Sequence, residues 1–172
     1  MPIHPTSSGA RWRPMVAADL PAIAAVADRV HPDYPEDDAV FAERLRLYPA
    51  GCLVLATAQG LVAYAVSHPW HHLQPPALNS LLGALPAEPS TYYIHDVALL
   101  PEARGSGAGS ALVARWVAQA RAAGVETLSL VAVNGSHAFW RRHGFVAVDA
   151  PELRSKLSSY DDAARLMARP VA

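Results

Sequence analysis

The chain of 172 residues holds a single cysteine and a single lysine, and its formal net charge is only −1. Each scarcity excludes something. Cys52 alone cannot form an internal disulfide, and it opens a predicted buried strand with no acid or base beside it in sequence, which argues against a covalent acyl route. The longest apolar stretch, 52–66, is interrupted by Thr57, Gln59 and Gly60 and falls short of a membrane span. The start Met1-Pro2-Ile3-His4-Pro5 lacks the apolar core of a secretion signal, so a cytoplasmic protein is expected. A near-neutral balance lacks the basic face of a nucleic-acid binder, and neither a nucleic-acid nor a membrane partner is expected.

Hydrophobic residues make up 52% of the chain, ample for the core of one domain spanning 1–172, with residues 1–10 read as flexible. Residues 11–15 read as a strand. Leu20, Ile23, Ala27 and Val30 stripe a first helix, and Phe41, Leu45 and Tyr48 a second that Asp37 or Asp38 would cap. Residues 52–57 and 61–67 form a hairpin about Gln59-Gly60. A long irregular stretch, 68–90, carries Pro69, Pro75, Pro76, Pro86 and Pro89, and loops of that length are usually functional or mobile. His68, His71, His72 and His95 have neither ligand spacing nor a nearby carboxylate, so no metal is expected, and the first three read as a solvated or substrate-facing loop. Further strands are predicted at 92–100 and 126–133, a short helix at 136–143, and a closing hairpin from 144–148 and 165–168.

Between the strand at 92–100 and a helix striped by Leu112, Val113, Trp116, Val117 and Ala120 lies Arg104-Gly105-Ser106-Gly107-Ala108-Gly109. Glycines there permit positive φ and close approach of the backbone. The helix start adds unpaired N–H donors and positive partial charge, and Arg104 adds a planar cation suited to phosphate. A dinucleotide fingerprint would need glycine where Ser110 stands, and a P-loop would need a lysine after its last glycine, whereas the only lysine is Lys156. The remaining pattern, R-x-x-G-x-G after a strand, resembles the acyl-CoA-binding motif of the GNAT N-acyltransferase superfamily, and nearly the whole chain can be read in that family's element order.

That resemblance implies an α/β (α+β) fold: a mixed, mostly antiparallel sheet of about six to seven strands, flanked by helices on both faces and splayed between the fourth and fifth strands. It implies acetyl-CoA as cofactor and direct transfer of the acetyl group to an amine. The cofactor would be held by Val97, Ala98 and Leu99, by Arg104, Gly105, Ser106, Gly107, Ala108, Gly109 and Ser110, and by Asn134, Phe139 and Trp140. A small-molecule amine is the expected acceptor; a protein or peptide amine, or a non-catalytic acyl-CoA sensor, are the alternatives, and a homodimer is left open.

Uniform alternation along 92–99 puts Tyr93, His95, Val97 and Leu99 on one face and Tyr92, Ile94, Asp96 and Ala98 on the other. His95 stands where polyamine acetyltransferases of the family carry a glutamate, which implies a general base; its other reading is a structural histidine of a buried strand. Asp96 would orient that ring or hold an ammonium, or be a structural carboxylate satisfied by backbone N–H groups. Asp33 and Glu36, with Asp37 and Asp38, form an acidic junction that would attract a cationic amine, or merely cap a helix. Tyr93 joins the substrate-binding candidates. Phe139-Trp140-Arg141-Arg142-His143-Gly144-Phe145 resembles the family's F-Y-x-x-x-G-F, but Trp140 replaces the tyrosine that commonly protonates the departing thiolate, and an indole is no practical acid. Tyr92, Tyr93, His143 or water could take its place.

Overall fold

The computed structural model describes residues 11–133 and 135–172. Residues 1–10, expected to be flexible, and Asn134, expected at the cofactor, lie outside the described residues. Seven strands, β1 (Arg11–Pro14), β2 (Cys52–Thr57), β3 (Gly60–Trp70), β4 (Thr91–Leu99), β5 (Thr127–Ala132), β6 (Val146–Ala147) and β7 (Arg165–Pro170), form one sheet in the order β1-β2-β3-β4-β5-β7-β6. Every pairing is antiparallel except β4 with β5. Those two strands pair only from Tyr92–Leu128 to Ile94–Leu130 and then part, so a gap opens between the rest of β4 and the end of β5.

Helices α1 (Leu20–Val30) and α2 (Asp38–Leu47) cover one face, and α3 (Ala108–Ala122) covers the other with α4 (His137–Arg142). The short α5 (Arg154–Ser158), absent from the sequence reading, precedes β7. In α1 the apolar stripe buries Ile23 and Val26 beside Phe41, Tyr64 and Val66. In α3 the predicted stripe buries Leu112, Val113, Trp116 and Ala120 against Tyr92, Ile94 and Leu128. Asp37 holds the N-cap position of α2 in extended conformation, but its side chain makes no capping bond.

Two expectations are corrected. The loop expected at 68–90 begins only after Trp70, because β3 runs on to pair His68, Pro69 and Trp70 with Tyr93, Tyr92 and Thr91. Its other neighbour, β2, starts opposite Val66, so Pro69 sits where one side of β3 is already an edge and its missing N–H costs no ladder bond to β2. His68 is consequently buried in the sheet and is not a loop residue.

The second correction concerns alternation in β4. Val66 opposes Asp96, yet Ser67 opposes Ile94, so His95 is an extra residue without an opposite number. This bulge reverses the phase. Tyr92, Ile94 and Val97 face the α3 core, while Ala98 and Leu100 face the core under α1 and α2, and Asp96 hydrogen-bonds to Tyr64 on that side. His95 and Asp96, predicted on opposite faces, therefore border the same cavity.

Candidate functional site

A cavity of about 740 Å³ occupies the gap between β4 and β5. Its lower wall is the glycine loop. Gly105 and Gly107 adopt φ of 76° and 82°, and Gly107 is the N-cap of α3, where among the described residues no side chain caps the helix start. The first N–H groups of α3 thus remain available at the positive end of a fifteen-residue helix. Gly109 is helical and serves another purpose: a Cβ there would lie 2.9 Å from Cζ of Phe139, so glycine lets α4 close against α3. Arg104, Gly105, Gly107, Ala108, Gly109 and Ser110 all line the cavity. Ser106 turns away and donates its hydroxyl to the Ala103 carbonyl at 2.6 Å.

Among the other predicted cofactor residues, Val97 and Leu99 line the cavity, whereas the Ala98 side chain is buried in the core under α1 and α2. The carbonyl of Leu99 accepts from Arg104 Nε at 3.1 Å and that of Val97 from His31 Nε2 at 2.9 Å, each keeping a second lone pair. Phe139 and Trp140 also line the cavity. Trp140 is wedged among Trp116, Phe139 and Phe145, with ring centroids 6.0, 4.9 and 5.4 Å away, so its indole is as much core as wall.

At the far end of the cavity, His95 Nε2 lies 2.8 Å from Oε1 of Glu36, with both side chains about 5% exposed. The second carboxylate oxygen accepts the backbone N–H of Asn79 at 3.0 Å. With Glu36 ionised, the neutral ring donates Nε2–H and keeps its lone pair on Nδ1. Glu36 is therefore not the exposed charge expected of the acidic junction. Asp33 is exposed and outside the cavity lining.

Asp96 is satisfied by side chains, not by the backbone N–H groups of its structural reading. Its Oδ2 accepts from Tyr64 at 2.7 Å, and its Oδ1 lies 3.3 Å from His31 Nε2. Burial opposes charge on His31, but Asp96 and the Val97 carbonyl outweigh it and raise the imidazole pKa above its ordinary value. His68 differs: burial pushes it down to about 3, so its neutral ring, tied through Nδ1 to the Pro69 carbonyl, packs 6.3 Å from that of His95. Among the described residues no group of three or more histidine, cysteine or acidic side chains is arranged to hold a metal ion.

Of the groups considered as replacements for the missing tyrosine acid, Tyr92 is sealed in the core on Ser67 and does not reach the cavity. Tyr93 does, but burial drives its pKa far up. His143 lines the glycine-loop end beside Phe139, its pKa lowered by burial and by Arg142 and Arg169.

Lining residues that escaped the sequence reading include His31, Tyr34, Leu78 and Tyr160. His31 and Tyr34 sit beside the acidic junction that had drawn attention only for its charge. Leu78 and Tyr160 come from irregular segments with no periodic pattern. The 71–90 segment is strapped down at several points: Glu36 to Asn79, Glu43 to the N–H groups of Leu82 and Gly83, Arg44 to the Ser80 carbonyl, and the Tyr160 hydroxyl to the Pro76 carbonyl. Glu43 and Arg44 form a buried ion pair at 2.9 Å that anchors these bonds.

The glycine loop and the buried His95–Glu36 pair border one cavity in the gap of a splayed, mixed sheet. The profile of the Acetyltransferase (GNAT) family matches residues 17–145, and the chain belongs to that family. Acyl-CoA is the family's cofactor, and the open backbone at Gly105 and Gly107 with the uncapped helix start fits its anionic diphosphate. The fold is similar to that of the GNAT-like decarboxylase GphF in complex with isobutyryl-CoA (19% identity, TM-score 0.75, 94% of this chain and 100% of that one). The loading GNATL domain of CurA from Lyngbya majuscula superposes with TM-score 0.76 at 16% identity, over 94% and 97% of the two chains. Naa20 of Chaetomium thermophilum, in complex with a bisubstrate analogue, gives 0.69 at 19%, over 93% and 86%. A comparison with curated proteins gives no match. Among the described residues no helix is long and apolar enough to cross a membrane.

Proposed function

We propose that this protein is an acetyl-CoA-dependent N-acetyltransferase that moves an acetyl group directly to the amine of a small molecule. The observation that carries the reading is the His95–Glu36 pair, 2.8 Å apart, in the same cavity as the glycine cradle. Acetyl-CoA, when bound, supplies an activated thioester. Arg104 and the N–H groups at the start of α3 hold its diphosphate, and the unpaired edge of β4 near Val97 and Leu99 borders its arm. Glu36 fixes the His95 tautomer with the Nδ1 lone pair free. His95 then takes a proton from the attacking amine, directly or through water, and Glu36 stabilises the imidazolium that forms. An alkylammonium of pKa about 10.4 must shed a proton before it attacks, so a paired base inside a largely buried site serves the reaction at neutral pH.

The strapped 71–90 segment supports a covered site and a small acceptor over a peptide. With Trp140 in place of tyrosine, and with the lowered pKa of His143 leaving its ring neutral at neutral pH, protonation of the departing thiolate falls to water. The test is free-thiol release from acetyl-CoA with an amine panel. His95→Ala should lower turnover by about 100- to 10,000-fold while leaving acetyl-CoA affinity unchanged. Wild-type protein that binds acetyl-CoA but acetylates no amine would overturn the proposal in favour of a sensor.

A further inference from the structure

We infer that the acceptor is a monoamine with an aromatic or branched apolar body and no acid group; this rests on the N-acetyltransferase reading above. The end of the cavity away from the glycine loop is walled by Tyr34, Leu78, Tyr93 and Tyr160. Two of the tyrosine hydroxyls are already committed within the protein, Tyr34 donating to Asp161 and Tyr160 to the Pro76 carbonyl, and Tyr93 is only 2% exposed. What these residues lend the wall is aromatic carbon, which binds an apolar body and not a chain of hydroxyls.

Charge narrows the class further. The cationic side chains lining the cavity are Arg104 and Arg142, both at the cofactor end, Arg142 lying 5.9 Å over the Phe139 ring. The buried Arg44 is outside the lining and directs Nη1 to Glu43 and the Ser80 carbonyl. The far end instead holds two carboxylates, each paired with a histidine, so each pair is neutral at most and never net positive. A substrate carboxylate would meet like charge, and the cations near it are already paired, His31 with Asp96 and Arg44 with Glu43. A second ammonium would have to share carboxylate oxygens that each already face a partner: His95 and the Asn79 N–H at Glu36, His31 and Tyr64 at Asp96.

The experiment measures kcat/KM by thiol release on the full chain with 2-phenylethylamine, ethylamine, phenylalanine, 4-(aminomethyl)benzylamine and a peptide with a free N-terminus. Phenylalanine differs from 2-phenylethylamine by the carboxylate alone, and ethylamine by the ring alone. 2-Phenylethylamine should exceed phenylalanine by at least about 100-fold, a ratio within reach of like-charge juxtaposition, and should also exceed the other three. Leu78→Arg, which puts a cation on the wall, should narrow the gap to phenylalanine by at least about tenfold. Equal or better use of phenylalanine, the diamine or the peptide overturns the acceptor class while leaving N-acetyl transfer intact. Equal use of ethylamine overturns the aromatic-body argument. No turnover of any of the five, with acetyl-CoA still bound by calorimetry, overturns the N-acetyltransferase reading and this inference with it.

Discussion

Replacing Glu36 by glutamine preserves shape and removes one charge, and the two hydrogen bonds of Glu36 decide how the new amide must sit. The Asn79 N–H, 3.0 Å from Oε2, needs an acceptor, so the amide oxygen of the glutamine goes there. Its NH₂ must then face His95 Nε2, where Oε1 stood at 2.8 Å. A donor at that place selects the other tautomer: Nε2 becomes the acceptor, Nδ1 carries the proton, and the lone pair proposed to receive the amine proton is gone. The lost charge-assisted bond alone is worth about 1.5–3 kcal/mol. If that stabilisation is realised only when His95 becomes charged, kcat falls by about 10- to 150-fold at 1.36 kcal/mol per decade. Acetyl-CoA affinity should not change, because the cradle lies at the other end of the cavity, and the melting temperature should move little, because the Asn79 strap is kept. Steady-state kinetics, calorimetry and thermal melts of Glu36→Gln beside wild type measure all three. Unchanged kcat would refute the reasoning and leave Glu36 as a strap for the 71–90 segment. A rise in acceptor KM that added salt reproduces, with kcat intact, would restore an exposed electrostatic attraction instead.

Gly107→Val forces a β-branched residue to φ near 82° at the N-cap of α3, a cost of about 1–2 kcal/mol, and its side chain blocks the open backbone; calorimetry should find no measurable acetyl-CoA binding in a chain that still melts cooperatively. Arg104→Ala should weaken acetyl-CoA by about 1.5–3 kcal/mol, and an unchanged dissociation constant would remove the guanidinium from the cofactor site. Trp140→Phe leaves space among Trp116, Phe139 and Phe145 and should cost about 1–2 kcal/mol of stability while keeping most activity; lost activity with stability intact would mean that the indole has a direct role. The raised pKa of His31 means that the folded chain binds its proton more tightly than the unfolded chain does. Its contribution to stability is full below about 6.5 and disappears as pH rises through the higher folded value. Urea melts should show that decline in wild type and a flatter profile in His31→Gln, whereas parallel profiles would contradict it.

The parts legible in the sequence were those written in consecutive residues. Glycines at fixed offsets from Arg104, following a strand and opening a helix, forecast the left-handed turns at Gly105 and Gly107 and the start of α3, because turn conformation is a local property. Apolar stripes in α1 and α3 likewise declare their buried faces, since 3.6-residue periodicity needs no knowledge of what packs against it. The His95–Glu36 and His31–Asp96 pairs were not legible, because each joins residues far apart in the chain, and their meeting depends on the bulge that inserts His95 into β4. A uniform period of two puts residues 95 and 96 on opposite faces; only the register against β3 reverses the phase. Pro69 misled for the same reason: proline ends most strands, but it is tolerated where β2 has already stopped and left β3 with a free edge. Local conformation and hydrophobic period are properties of the sequence itself, while strand register and the meeting of distant charges are decided by the packing of the whole chain.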